Sequence, residues 1–227
     1  VAIRDGARAL ILPTIAEIGG RVRITAEVID PQTQTTVYSE TADGIGKESI
    51  LPSLDAINGR LRVRLGEALA TVSNESMPLE KVATKDLAAL RAYTLGTKAY
   101  DSARDDEAIG FFRQALKLDP EFSLARVGLA KIFLNESKNT AAIGELDAAI
   151  ASPGRMAHRD ALYVKALLAS ANGSSQLAAI ENWKILTGTY PDFSSGQALR
   201  AYYLWWYGNG IKQAIDPGTL AASSKNP

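Results

Sequence analysis

The chain of 227 residues is 46% hydrophobic and 22% charged, with 25 basic and 25 acidic side chains and no cysteine. This is an ordinary globular composition, sufficient for one large domain or two small ones. The balanced charge leaves no nucleic-acid footprint, the missing cysteines exclude disulfides, zinc-thiolate sites and thiol nucleophiles, and no stretch approaches the roughly 18 apolar residues that span a bilayer.

Val1 rather than methionine opens the chain, and its first residues carry no signal-peptide pattern, so any targeting or membrane segment is expected upstream. The opening reads as a helix end entering a strand, so we expect an excised piece of a longer protein. Ala9 to Leu12 is a continuous apolar run, and Pro13 lacks a ladder donor, which places this strand at an edge or a bulge. After the hairpin signal Gly19-Gly20, Val22, Ile24, Ala26 and Val28 alternate with Arg21, Arg23, Thr25 and Glu27. That period of two predicts a half-buried antiparallel strand. Asp30 and Pro31 signal a turn, and the β-branched stretch from Thr35 to Thr41 predicts a third strand.

From Glu48 the period changes to 3.6. Ile50, Leu54, Ile57, Leu61, Leu65, Leu69 and Val72 form one stripe of a long amphipathic helix able to lie on the sheet, with Pro52 tolerated in its first turn. Residues 1–73 therefore read as a partial α/β module, and residues 74–88 as a linker in which Thr84 is expected to cap the next helix.

Residues 89–227 carry a 34-residue register, which predicts antiparallel helix pairs stacked into a solenoid. In the first copy, 89–122, Ala92, Leu95, Gly96 and Ala99 mark one helix, and Ala108, Phe112 and Ala115 mark its partner. Gly96 and Ala108 permit close approach, Phe112 and Leu116 fill the space to the next pair, and Pro120 stops the second helix. Looser copies run over 123–156 and 160–193, with Pro153 arriving one residue early, and a partial copy covers 194–215. The expected class is thus α+β: three antiparallel strands and one long helix, then an all-α repeat array.

At these residues the second part resembles the tetratricopeptide repeat family. Ala108, Phe112, Ala115 and Pro120 carry the likeness, whereas Ala92 stands where the family usually has tryptophan. The first part resembles the second half of the amino-terminal α/β domain of TolB-type proteins, on Gly6 to Leu12, Gly19 to Pro31 and Val37 to Glu40. The junction from Pro78 to Tyr93 is similar to bacterial membrane signalling proteins of kinase, cyclase or transcription-regulator type. Together these resemblances imply a non-catalytic sensing or scaffolding region, extracytoplasmic in a membrane-anchored protein, although a cytoplasmic setting stays open.

Potential chemistry is sparse. The loop from Asp43 to Ser49 sits between strand and helix, but Thr41 and Glu48 occupy the positions where a phosphate loop needs glycine and a hydroxyl. His158, the only histidine, reads as a surface residue at a helix start, and Asp105, Asp106 and Glu107 suit the positive end of a helix dipole. No catalytic residue, metal or cofactor is assigned, and an enzyme is not expected. Tyr190, Phe193, Tyr202, Tyr203, Trp205, Trp206 and Tyr207 cluster near the end; one helix face cannot bury all of those on the last helix. Some of them are expected on repeat three, with Tyr202, Trp205 and Trp206 as a possible homodimer surface.

A groove for a protein or peptide partner is the leading functional reading. The family resemblance puts first-helix residues on the concave face, here Tyr93, Thr97, Tyr100, Val127, Lys131, Asn135 and Val164. A plain solvated face explains the same residues equally well.

Overall fold

The computed structural model describes residues 9–66, 77–152, 155–173 and 176–207, the side chains of Gln176, Trp206 and Tyr207 excepted. Leu69, Val72, Pro153, the break at Gly208 to Gly210 and the short helix expected over 211–215 lie outside the described residues. The class is α+β, and the chain divides into two compact units between Glu80 and Lys81.

The first unit holds β1 (Leu10–Ile18), β2 (Arg21–Asp30) and β3 (Thr35–Ile45), followed by a 3-10 turn (Lys47–Ser49) and α1 (Ile50–Arg64). The sheet is antiparallel in the order β1-β2-β3. Strict alternation in β2 buries Val22, Ile24, Ala26 and Val28 on one face, where Ile57 and Leu61 of α1 join them. β1 is an edge strand, the first of the two placements Pro13 left open, and every one of its residues is exposed.

Two expectations are corrected here. β3 continues to Ile45, so the first three residues of the loop foreseen from Asp43 to Ser49 are strand: Asp43 pairs with Arg23 across the ladder and holds its guanidinium at 2.7 and 2.8 Å. That hydrogen bond lowers the Asp43 carboxyl from its usual range. The stripe of α1 also ends early, because Leu65 falls past the last helical residue and is exposed, while Leu51, outside the stripe, is buried. Between helix and sheet, Glu40 accepts from Arg60 at 2.8 Å and Arg64 at 2.7 Å, a nearly buried carboxylate answered by two cations from successive turns.

The second unit opens within α2 (Leu79–Val82), then runs α3 (Leu87–Asp101), α4 (Asp105–Leu118), α5 (Ser123–Asn135), α6 (Asn139–Ile150), α7 (His158–Asn172), α8 (Gln176–Thr189) and α9 (Ser194–Tyr207). α3 with α4, α5 with α6 and α7 with α8 form antiparallel pairs, and each pair packs on the next. The fully buried small residues Ala89, Ala108, Ala115, Ala125, Ala130 and Ala142 bring the helix backbones close, and Phe112, Phe122, Leu146, Trp183 and Leu186 fill what remains.

Thr84 is not the cap. Asp86 caps α3, its carboxylate accepting from the amides of Ala88 at 2.7 Å and Ala89 at 3.0 Å. Thr84 is fully buried and instead donates to Asp119 at 2.6 Å. The reason is geometric: a cap must accept from amides two and three residues ahead, and Asp86, not Thr84, stands immediately before the first helical residue.

Phe112 fixes the spacing of the first two pairs. Its ring lies between Gly96 of α3 and Gly128 of α5, so a Cβ at Gly96 would stand 2.7 Å from the ring and one at Gly128 2.6 Å from its tip. Gly128→Ala is therefore expected to destabilise the helical unit by about 1–3 kcal/mol through overpacking, with partial recovery in Gly128→Ala/Phe112→Leu. Thermal unfolding checks this; an unshifted melt for Gly128→Ala would show that the ring yields freely.

Candidate functional site

The first helices of successive pairs, α3, α5 and α7, together with the start of α9, surround a cavity of about 210 Å³. Helix periodicity explains its lining. Tyr93, Thr97 and Tyr100 succeed one another at four- and three-residue steps on α3, and Val127, Gly128 and Lys131 lie three, four and seven residues after Leu124 on α5, so each set shares a face. Asp160 and Tyr163 of α7, and Phe193 and Ser195 at the start of α9, close the far side, while Phe112 forms the floor.

Of the residues selected from sequence, Tyr93, Thr97, Tyr100, Val127 and Lys131 line this one cavity. Asn135 is exposed, one turn beyond, and its amide donates to the Tyr100 hydroxyl at 3.1 Å. Val164 does not belong with them, because it is fully buried in the core. Its neighbour Tyr163 takes the lining position, and a one-residue slip turns a helical side chain by about 100°. Among the exterior aromatics, Tyr203 stacks on Trp183 with ring centroids 6.0 Å apart, whereas Tyr202 and Trp205 are exposed. Trp206 has its side chain outside the described residues.

The rings pack in two groups. Tyr93 lies 5.9 Å from Phe112 and 5.0 Å from Phe122, and Tyr163 meets Phe193 edge-on at 5.6 Å. Burial raises the phenols of Tyr93 and Tyr163, so both remain neutral donors well above neutral pH. Two charged groups reach the lining. Asp160 is taken by Arg159 at 3.1 Å. Lys131 sets its ammonium 4.4 Å from the centroid of the Tyr100 ring, a cation–π contact. Burial lowers the Lys131 amine, and the field of Asp101 partly offsets it.

The remaining candidates keep structural roles. Asp105, Asp106 and Glu107 form the first turn of α4, where Glu107 pairs with Arg104. His158 begins α7, exposed, with Nδ1 3.0 Å from the Tyr190 hydroxyl. Among the described residues no cluster of acidic or histidine side chains could hold a metal ion, and no helix is long and apolar enough to cross a membrane.

No protein-family model and no curated protein matches the chain. Solved structures do show similarity. The crystal structure of MamA protein is 18% identical over 61% of this chain and 73% of its own, with a TM-score of 0.40. A MamA fragment, residue 41 to the end, from Desulfovibrio magneticus RS-1 is 14% identical, covering 78% and 97%, with a TM-score of 0.43. A further MamA crystal structure is 20% identical, covering 74% and 94%, with a TM-score of 0.42. Likeness at this level carries no argument. The repeat architecture rests on this chain's own recurrences, above all on side-chain bonds that span one repeat: Thr84 to Asp119 over 35 residues, Asn135 to Tyr100 over 35, and Arg155 to Asp119 over 36.

Sequence reasoning missed Asp160, Tyr163 and Phe193. A signal for the first two existed: a step of 36 residues from α5 carries Leu124 onto Asp160 and Val127 onto Tyr163, whereas a third copy begun at residue 160, 37 after the second, carries Val127 onto Val164. The start chosen for the third copy overshot the true spacing by one residue, and one residue turns a helical side chain by about 100°.

Proposed function

We propose that the helical unit is a non-catalytic protein- or peptide-binding module whose partner seats a side chain in the cavity between the first helices. The observation that carries this reading is the convergence of aromatic rings and one amine from four helices on a single recess. Such aromatic anchors and pockets dominate binding energy in protein interfaces. The resemblance of the first part to TolB-type domains supports a wider setting, in which the chain is the sensing or scaffolding region of a larger bacterial signalling protein.

A peptide-array or pull-down screen tests the binding role. Tyr100→Ala and Lys131→Met are expected to weaken capture of a groove partner about tenfold or more, with unchanged circular dichroism. If every partner found binds both variants as it binds the parent, the cavity is not the site.

A second reading has its own support. Tyr202 and Trp205 on α9 are 51% and 53% exposed, large for aromatic side chains, which favours a homodimer through that end. Light scattering across a concentration series is expected to show self-association that Trp205→Ser abolishes, and a concentration-independent monomer would exclude it.

A further inference from the structure

We propose that the cavity selects an aromatic side chain carried beside a carboxylate, so that the partner segment is an acidic–aromatic one. This rests on the concave face being the binding surface and specifies what that surface recognises.

The argument begins with size. A recess of about 210 Å³ is below the roughly 300–1,000 Å³ usual for small-molecule pockets. It suits one large side chain. The walls then choose the kind: Tyr93, Tyr100, Tyr163 and Phe193 around Phe112 present edges and faces that an incoming ring meets in tilted or offset contact.

Charge decides what stands next to that ring. The carboxylate on the wall, Asp160, is paired with Arg159, whose guanidinium also lies 5.1 Å from the Phe193 ring centroid. Lys131 is different. Its ammonium rests on the Tyr100 ring, is partly stripped of water, and forms no ion pair with any described residue. Asp101 adds an opposing field without pairing. The one charge on the cavity lining without an ion-pair partner among the described residues is therefore positive. A carboxylate arriving there gains a charge-assisted hydrogen bond from an amine that has already lost hydration. A cation would meet repulsion, although the site is aromatic, because Lys131 occupies the ring face it would use.

The test uses the full chain and three short glycine-serine peptides with a central Glu-Phe, Lys-Phe or Glu-Ala pair, with binding read by fluorescence anisotropy. Glu-Phe is expected to bind about tenfold or more tighter than either control, the scale of one charge-assisted bond. Lys131→Met should remove the preference for Glu-Phe over Lys-Phe, and Lys131→Glu should invert it, while the advantage of Phe over Ala persists in both. Equal or tighter binding of Lys-Phe by the parent, or a preference unmoved in Lys131→Glu, overturns the proposal. So does an absence of binding by all three probes. In that case, an array partner still lost on Tyr100→Ala shows that the groove stands and only its assigned chemistry fails; array partners indifferent to Tyr100→Ala remove the groove as well.

Discussion

Asp119→Ala is expected to lower the stability of the helical unit by about 3 kcal/mol, the lower end of the cost of orphaning a buried charge. Asp119 ends α4, and its carboxylate accepts from the Thr84 hydroxyl at 2.6 Å and from Arg155 at 2.5 Å. It also accepts from the amide of Glu121 at 3.1 Å, shaping the turn that contains Pro120. The side chains of Arg155 and Asp119 are only 20% and 16% exposed. Without the carboxylate, Arg155 keeps its charge in a site where its Nε already lacks a partner. Asp119→Asn retains an acceptor and should cost about half as much. Arg155→Met in the Asp119→Ala background should recover more than about 1 kcal/mol, since the two share one interaction. Urea unfolding monitored by tryptophan fluorescence reads the helical unit alone, because the three tryptophans are Trp183, Trp205 and Trp206. Single variants within about 0.5 kcal/mol of the parent, with additive effects, would show that the pair contributes little.

Trp183→Ala is expected to cost about 3–5 kcal/mol. Trp183 is fully buried in α8, and its indole N–H donates to the Ser170 hydroxyl of α7 at 3.0 Å. Tyr203 stacks on one face at 14° between planes, and Tyr163 meets it edge-on at 5.7 Å. Alanine therefore leaves a large void at the junction of three helices and removes the indole bond to Ser170, whose hydroxyl still donates to the Ala166 carbonyl at 2.8 Å. Trp183→Phe keeps the ring contacts and loses only the indole donor and part of the volume, so it should fall well short of the alanine cost. Because Tyr163 forms a wall of the cavity, Trp183→Ala should also weaken groove binding, whereas Trp205→Ser should not. Circular dichroism melts decide the stability claim; a midpoint within about 3 °C of the parent would contradict it.

The sheet unit was readable where one physical demand acted alone. Alternation in β2 predicts its buried face because the period of a strand admits no other arrangement, and Pro13 narrows its strand to an edge or a bulge because it has no N–H. Readability failed where two demands competed at one residue. Thr84 has cap chemistry, yet its hydroxyl is spent on a carboxylate 35 residues away, which no local pattern records. Leu65 continues the apolar stripe of α1 but lies beyond the helix end, where periodicity no longer orients a side chain. In the helical unit, small and large residues disclosed the pairs, since backbones can approach only where side chains are small. The cavity was half legible. α3 and α5 keep the register that places Tyr93, Thr97, Val127 and Lys131, whereas a third copy begun one residue late names Val164, which is core, in place of Tyr163, which lines the cavity.

A stack in which each pair touches only its neighbours would come apart gradually, one pair at a time from its ends. Asp119 works against that behaviour. It joins Thr84, ahead of the first pair, to the end of that pair, and then to Arg155, just ahead of the third. One side chain thus makes three successive seams answer to one another and adds second-neighbour coupling to a nearest-neighbour chain. Fraying at the first pair then carries a cost two pairs away, and the transition sharpens towards all-or-none.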